Sequence, residues 1–303
     1  MQNLLITGVN GFIGKNLFIN KDIQRTYNIY GIYNKTKPKN LRNNRSFIKA
    51  NLLNKNDYLK LPNLCQKIIH LAGDPRTFIG NDKKNLQTLK NLKLTSNILD
   101  YAKKSKCNKF IFLSSVYVYS GNKNKIFKES FKLNPIESLG KSKLRSENLI
   151  KKFCKKNNIS CYILRVFTVY GSYSRKSQFL LSIKNKIDSK KTKKIIIKYP
   201  YILRDFIHID DLIKVINLCL KITKNKINIL NVASGKSISI GYVVKKLLQI
   251  SKKKKELILI KKNLKSTRTG DIDHVANIDK IEQILQWKPK INIHKGLRSF
   301  YES

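Results

Sequence analysis

Acid is what this chain has least of. Against 63 lysines and arginines it carries 18 aspartates and glutamates, a formal charge of +45 over 303 residues. Such a surplus would attract nucleic acid, anionic membrane or phosphorylated substrates. The basic residues are spread along the whole length, however, and the densest run, Lys252-Lys253-Lys254-Lys255, is short. No zinc-finger, RNA-recognition or helix-turn-helix pattern accompanies it. The charge therefore reads as a compositional bias of the surface, and nucleic acid is not an expected partner. The five cysteines (Cys65, Cys107, Cys154, Cys161, Cys219) have no C-x-x-C spacing. Their odd number argues against a closed disulfide framework and suits buried free thiols in a reducing compartment. The four histidines show no metal-ligand spacing, so no metal is expected. No apolar run approaches the roughly 18 residues of a membrane span. The first residues lack the basic segment and apolar core of a secretion signal, and the expected location is cytoplasmic.

What is present starts at once. The apolar run Leu4-Leu5-Ile6 leads into Thr7-Gly8-Val9-Asn10-Gly11-Phe12-Ile13-Gly14, and a helical pattern (Phe12, Ile13, Leu17, Phe18) follows. Strand, tight glycine turn and helix start together give a glycine fingerprint its meaning. Gly8 would allow the sharp turn, Gly11 would admit a pyrophosphate close to the backbone, and Gly14 would let the helix lie against the strand. The helix start would then offer free N–H groups to phosphate.

Further along, Tyr27–Tyr33, Phe47–Leu52, Lys67–Gly73, Lys109–Ser115 and Cys161–Val166 read as strands. Helical patterns lie at Asn85–Lys104 and around Leu144, Leu149, Ile150 and Phe153. The alternation predicts an α/β fold, a Rossmann-type doubly wound parallel sheet with helices on both faces. Ligands of such sheets bind at the carboxyl ends of the strands, where Gly8, Ala72-Gly73 and Ser114-Ser115 fall. Residues 1–165 are expected to form the dinucleotide domain, with part of 205–235 returning to it. Residues 166–303 are expected to form a smaller α/β substrate-binding region, in which Pro289 of Trp287-Lys288-Pro289 would stop a helix. The acidic residue that an NAD-preferring fold places after its second strand is missing. Tyr33 and Asn34 stand there, and Lys35, Lys37 and Arg42 follow. Cations suit a 2′-phosphate, so of the two forms of NAD(P) the sequence leans towards NADP.

Taken together these segments resemble the extended short-chain dehydrogenase/reductases, specifically the nucleotide-sugar epimerase/dehydratase branch. The resemblance rests on the Gly8/Gly11/Gly14 turn, His70-Leu71-Ala72-Gly73, Asn91-x-x-x-Thr95-x-Asn97, Ser114-Ser115-x-x-Val118-Tyr119 and Gly140-Lys141-Ser142-Lys143. It continues through Arg165, Tyr170-Gly171, Arg204-Asp205-Phe206, Asp210-Asp211, Arg268-x-Gly270-Asp271 and Trp287-Lys288-Pro289, in the family's order and over nearly the whole chain. It implies a cofactor set of Gly8, Asn10, Gly11, Phe12, Ile13, Asn51, Leu52, Leu71, Ala72, Gly73, Asn91 and Lys143, to which the cations after the second strand add Lys35. Asn51 stands where the family usually has Asp, and its amide oxygen can still accept a bond. The substrate implied is a nucleotide-diphosphate sugar, held by Ser115, Tyr119, Arg204 and Arg268. The guanidinium groups would grip the diphosphate. The resemblance also implies a homodimer through Asn85–Lys104 and the helix carrying Lys143.

The family's catalytic pair is Tyr-x-x-x-Lys. Here the lysine is Lys143, and the position four earlier is Leu139. Spacing of four keeps both side chains on one helical face, but leucine exchanges no proton at any pH. Loss of a positioned acid/base typically costs about 10²–10⁴-fold. The Asp-Glu pair of the family's dehydratases is replaced by Val116 and Tyr117, which argues against dehydration. Thr168 stands where many members of the family have Asn before Tyr170-Gly171, so different substrate contacts are expected. One reading is an NAD(P)-dependent epimerase or 4-keto-sugar reductase whose catalytic set is Ser115 and Lys143, with Tyr117 or a bound water as relocated proton donor. The other is an inactive NAD(P)- or nucleotide-sugar-binding pseudoenzyme.

Overall fold

The computed structural model describes residues 1–38, 47–76, 81–120, 126–174, 178–222, 226–260 and 273–303, with the backbone alone of 81–85. In chain order its first half contains β1 (Gln2–Thr7), α1 (Phe12–Phe18), α2 (Lys21–Thr26), β2 (Tyr27–Tyr33), β3 (Phe47–Lys49), β4 (Lys67–His70), α3 (Asn81–Lys104), β5 (Lys109–Ser115), β6 (Ile126–Phe127), α4 (Ser138–Lys156) and β7 (Ser160–Val166). Then follow β8 (Thr168–Tyr170), α5 (Phe179–Asp188), β9 (Lys194–Ile197), β10 (Leu203–His208), α6 (Ile209–Lys221), β11 (Ile227–Val232), β12 (Ser237–Ser239), α7 (Ile240–Ser251), β13 (Glu256–Leu259), β14 (Val275–Ala276), α8 (Asp279–Leu285) and α9 (Ile293–Glu302).

Two compact units divide the chain. The first holds 1–122, 131–166 and 213–230; the second holds 123–130, 167–212 and 231–303. The sheet of the first unit runs β3-β2-β1-β4-β5-β7-β11. The pairs β1–β2, β1–β4, β2–β3, β4–β5 and β5–β7 are parallel. Order reverses between β1 and β4, the switch point at which a doubly wound sheet opens a crevice for ligand. Such strands are covered on both faces, and Leu4, Leu5, Ile6, Phe110 and Ile111 are accordingly fully buried. Leu5, Ile68, Phe110 and Ile163 share one core with Ile98, Leu99 and Ala102 of α3 and Ile150 of α4. Each of the large side chains among them contributes on the order of 1.5–3 kcal/mol. The five cysteines are all buried free thiols.

The amino ends of the strands, opposite the switch point, carry an unexpected device. Lys67 and Lys109 are direct partners across β4 and β5. The Lys67 ammonium donates to Leu220 O at 2.9 Å, and Lys109 donates to Cys219 O at 3.3 Å and to Ile222 O. Two cations thus satisfy the orphan carbonyls at the end of α6. Burial pulls the Lys109 amine down to about 8, with the neighbouring Lys67 acting in the same direction. The proton is held more weakly in the folded than in the unfolded chain. Stability should therefore rise with pH between about 8 and the ordinary lysine value near 10.4. Thermal unfolding of the protein and of Lys109→Met across this window tests it. The difference between the two should grow with pH, and a constant difference would refute the assignment.

In the second unit β10 lies parallel to β8 and antiparallel to β12. Tyr170, Leu180, Ile183, Ile195, Phe206, Val243, Leu247, Leu297 and Phe300 form its core. Asp205 of β10 accepts from Ser234 N at 2.6 Å, Ser234 Oγ at 2.7 Å, Gly235 N at 2.9 Å and Ala276 N at 3.4 Å. These bonds favour its ionised form, but burial outweighs them and pushes the carboxyl up to about 6. Helix α8 ends at Leu285, with Gln286 left-handed at φ 48°. The helix is stopped there, before the Trp287-Lys288-Pro289 expected to end it, and Trp287 turns into the interior.

Candidate active site

Gly8 has φ 71°, and a Cβ on it would lie 2.9 Å from Ala72 N. Glycine is needed both for the left-handed turn and for contact with the β4 exit. A Cβ on Gly14 would stand 2.5 Å from Gly8 O, so α1 can rest on β1 only through glycine. Between them Gly11 N donates to Gly8 O at 2.9 Å, and Gly11 is the N-cap of α1 with no side chain to close it. Asn10 turns its amide to Thr36 O, just past β2. The opening N–H groups of α1 are left uncovered by the turn's own side chains, an arrangement that fits a dinucleotide pyrophosphate. Phe12 is buried, Ile13 is half-buried, and Lys35 is exposed beyond β2.

The β4 exit is tied down from two sides. Thr7 Oγ1 accepts from Leu71 N and Ala72 N, each at 3.0 Å. Asn91 of α3 accepts from Asp74 N at 2.8 Å and donates to Asp74 O at 3.1 Å and to Ser142 Oγ at 3.3 Å. This links the loop carrying Gly73 to α4. After β3, Leu52 O accepts from Asn97 Nδ2 at 2.9 Å and from the Tyr58 hydroxyl at 3.0 Å. Asn51 Oδ1, expected to face a cofactor, accepts from Leu53 N at 3.1 Å and so closes a local turn.

Ser115 ends β5 half-buried and caps the 3-10 turn Val116–Tyr119, accepting from Tyr117 N at 3.4 Å. The Lys143 ammonium donates to Leu113 O at 2.6 Å and lies 4.6 Å from the Phe112 ring centroid. Burial lowers its pKa to about 8, against the Glu147 carboxylate, which raises it. One turn before it, Leu139 is 6% exposed. Below them lies a buried ion pair. Arg165 donates to Glu147 through Nε at 3.1 Å and Nη2 at 2.8 Å, and Ser114 Oγ donates to the same carboxylate at 2.5 Å. Arg165 Nη1 donates to the Tyr119 hydroxyl at 2.8 Å. Tyr119, expected to bind substrate, is fully buried and belongs to this network. No sequence motif singles out Glu147; its spacing of four from Lys143, on the same helical face, is the one local signal it carries.

In the second unit Arg204 is 9% exposed and donates to Leu203 O at 2.8 Å. Arg42, Arg268, Gly270 and Asp271 lie outside the described residues. Among the described residues no cluster of metal-ligating side chains occurs, and no helix is long and apolar enough to cross a membrane.

A doubly wound sheet with a glycine turn at its switch point, a serine at the next strand end and a lysine of α4 bonded to that strand define a dinucleotide-dependent enzyme class. Comparison with known proteins gives the family. The model of the NAD dependent epimerase/dehydratase family matches residues 4–233, and the chain belongs to that family. An uncharacterized UDP-glucose epimerase of Bacillus subtilis is 28% identical over 98% of this chain and 96% of its own length. An ADP-L-glycero-D-manno-heptose-6-epimerase of Brachyspira hyodysenteriae is 27% identical over 99% of this chain and 96% of its own. Among solved structures, a Tyr→Phe variant of the UDP-glucuronic acid 4-epimerase of Bacillus cereus, in complex with UDP-4-deoxy-4-fluoro-glucuronic acid and NAD, is 30% identical. It has a TM-score of 0.86 and covers 99% of this chain and 98% of that one.

Proposed function

We propose that the protein moves a hydride at a sugar carbon of a nucleotide-diphosphate sugar, as an epimerase or a 4-keto-sugar reductase with an altered proton relay. The observation that carries this reading is the convergence of the Gly8 turn, Ala72-Gly73, Ser115 and Lys143 at the carboxyl ends of β1, β4 and β5, with α4 laid against β5. A bound nicotinamide dinucleotide would supply the hydride acceptor and donor. Gly8, Asn10, Gly11, Phe12 and Ile13 would hold its pyrophosphate side, and Leu52, Leu71, Ala72, Gly73 and Asn91 would flank it. Lys143 would hold its ribose, and Ser115 would bond the reacting sugar oxygen. Arg204 and Arg268 would hold the diphosphate. With Lys35 exposed after β2 and no acid there, NADP is the expected preference, and titration with both dinucleotides should find it the tighter ligand. Exposed Leu86 and Leu89 on α3 support a homodimer through α3 and α4. The free buried thiols support a cytoplasmic location.

Leu139 favours a second reading, in which the chain binds both ligands and converts nothing. A panel of nucleotide sugars incubated with the protein and NAD(H) or NADP(H), read by mass and NMR, separates the two. We expect conversion by the unmodified protein and its loss in Tyr117→Phe. Full turnover in Tyr117→Phe removes that phenol as donor. Conversion by Leu139→Tyr alone establishes the second reading.

A further inference from the structure

The histidine at the end of β4 lies outside the chemistry proposed above, yet it is the centre of a continuous buried chain of hydrogen bonds. Thr7 and His70 are direct partners across β1 and β4. Thr7 Oγ1 meets His70 Nδ1 at 2.9 Å. On the other side His70 Nε2 meets Thr95 Oγ1 at 3.4 Å, and Thr95 Oγ1 meets Ser146 Oγ at 3.1 Å. Thr7, His70, Thr95 and Ser146 are all buried. They belong to β1, β4, α3 and α4, and Ser146 follows Lys143 by three residues.

Counting donors fixes the protons at the ring. A threonine hydroxyl has two lone pairs and one hydrogen. The lone pairs of Thr7 are taken by Leu71 N and Ala72 N. Its hydrogen must therefore point to His70 Nδ1, which carries none. Burial, together with the nearby Lys143 ammonium, drives the imidazole down to about 3, so the ring is neutral and its one proton sits on Nε2. Nε2–H donates to Thr95, whose own hydrogen goes to Asn91 O at 3.0 Å. With that hydrogen on Asn91 O, Ser146 donates to Thr95. The tautomer of the ring is set on the Thr7 side, where both lone pairs of the hydroxyl are already taken.

We propose that His70 is a positioning residue: a neutral imidazole, locked in its Nε2–H tautomer, aims the Thr7 hydroxyl and so holds Leu71-Ala72 against the Gly8 turn. It also couples that turn through Thr95 and Ser146 to the helix of Lys143. The effect on ligand rests on the reading of the Gly8 turn as the dinucleotide site. The effect on the loop does not.

The test combines nitrogen NMR of the histidine rings, amide exchange at Leu71 and Ala72, and equilibrium binding of NAD and NADP. These are measured on the protein, His70→Leu and His70→Asn. The wild-type ring should show the Nε2–H tautomer with no protonation down to pH 5. In His70→Leu the Thr7 hydroxyl loses its acceptor. The two amides should exchange about tenfold faster and dinucleotide affinity should fall about tenfold, the scale of one unpaired buried hydroxyl. An asparagine oxygen can stand near Nδ1, so His70→Asn should restore most of both. Unchanged exchange and affinity in a folded His70→Leu would overturn the proposal, as would an Nδ1–H or charged ring in the wild type. If His70→Leu does not fold, the wild-type spectrum and His70→Asn decide: exchange about tenfold faster or affinity about tenfold lower than wild type in His70→Asn overturns it. A wild type that binds neither dinucleotide refutes the cofactor reading instead, and amide exchange still decides the role of His70.

Discussion

Replacing Glu147 by leucine should remove about 3–5 kcal/mol of stability, because it leaves a buried guanidinium without its counter-charge. Arg165 is 2% exposed and Glu147 fully buried, so water cannot take over. Ser114 loses its acceptor as well, while Arg165 keeps its bond to the Tyr119 hydroxyl. A fall in Tm of roughly 10 °C is the expected reading by calorimetry. Arg165→Met in the same chain should return much of the loss, because replacing both members of a buried pair with apolar residues is far milder than removing one. A double variant as unstable as Glu147→Leu would show that the site needs hydrogen bonding rather than charge balance. The pair also has a functional face. Ser114 and Arg165 are register partners on β5 and β7, and Glu147 binds both from one turn beyond Lys143. Substrate conversion should therefore fall in Glu147→Leu even at temperatures where the fold survives.

The second large effect belongs to Gly14→Ala. The new Cβ would meet Gly8 O at 2.5 Å and Val9 Cα at 2.8 Å, both backbone atoms that no rotamer can clear. Helix α1 must move off β1, and the turn that presents its first N–H groups moves with it. Overpacking of this kind costs about 1–3 kcal/mol, and at the upper end dinucleotide affinity falls roughly 10²-fold. Unchanged dinucleotide affinity in a folded Gly14→Ala, measured by titration calorimetry, would refute the account of the turn.

Much of this was legible in the chain. Strands β2 and β5 stand where the sequence puts them; β5 is buried from Lys109 to Ser114 and reads as a short apolar run that ends in hydroxyls, while β2 is a tyrosine- and isoleucine-rich run with one exposed residue, Asn28. The glycine turn was legible because its spacing reports backbone contact, which depends on no distant partner. The illegible parts depend on register. Lys67 facing Lys109, and Thr7 facing His70, are relations between neighbouring strands that lie far apart in sequence. Nothing local distinguishes Lys109 from the other lysines of a lysine-rich chain. Tyr119 shows the same limit, since its motif was visible but its burial against Arg165 was set by α4. Gln286 ends α8 by a left-handed backbone turn that no glycine or proline advertises.

Helix α4 meets the turn after β5 at Gly140, where an added Cβ would collide with Tyr117 O and come within 2.8 Å of Pro135 Cβ. The backbone next to position 139 therefore has little latitude, so a side chain placed there starts from one fixed Cα. That makes the position a site for comparative chemistry: leucine, phenylalanine, tyrosine and ring-fluorinated tyrosines form a graded series in which ring, hydroxyl and acidity are added one at a time.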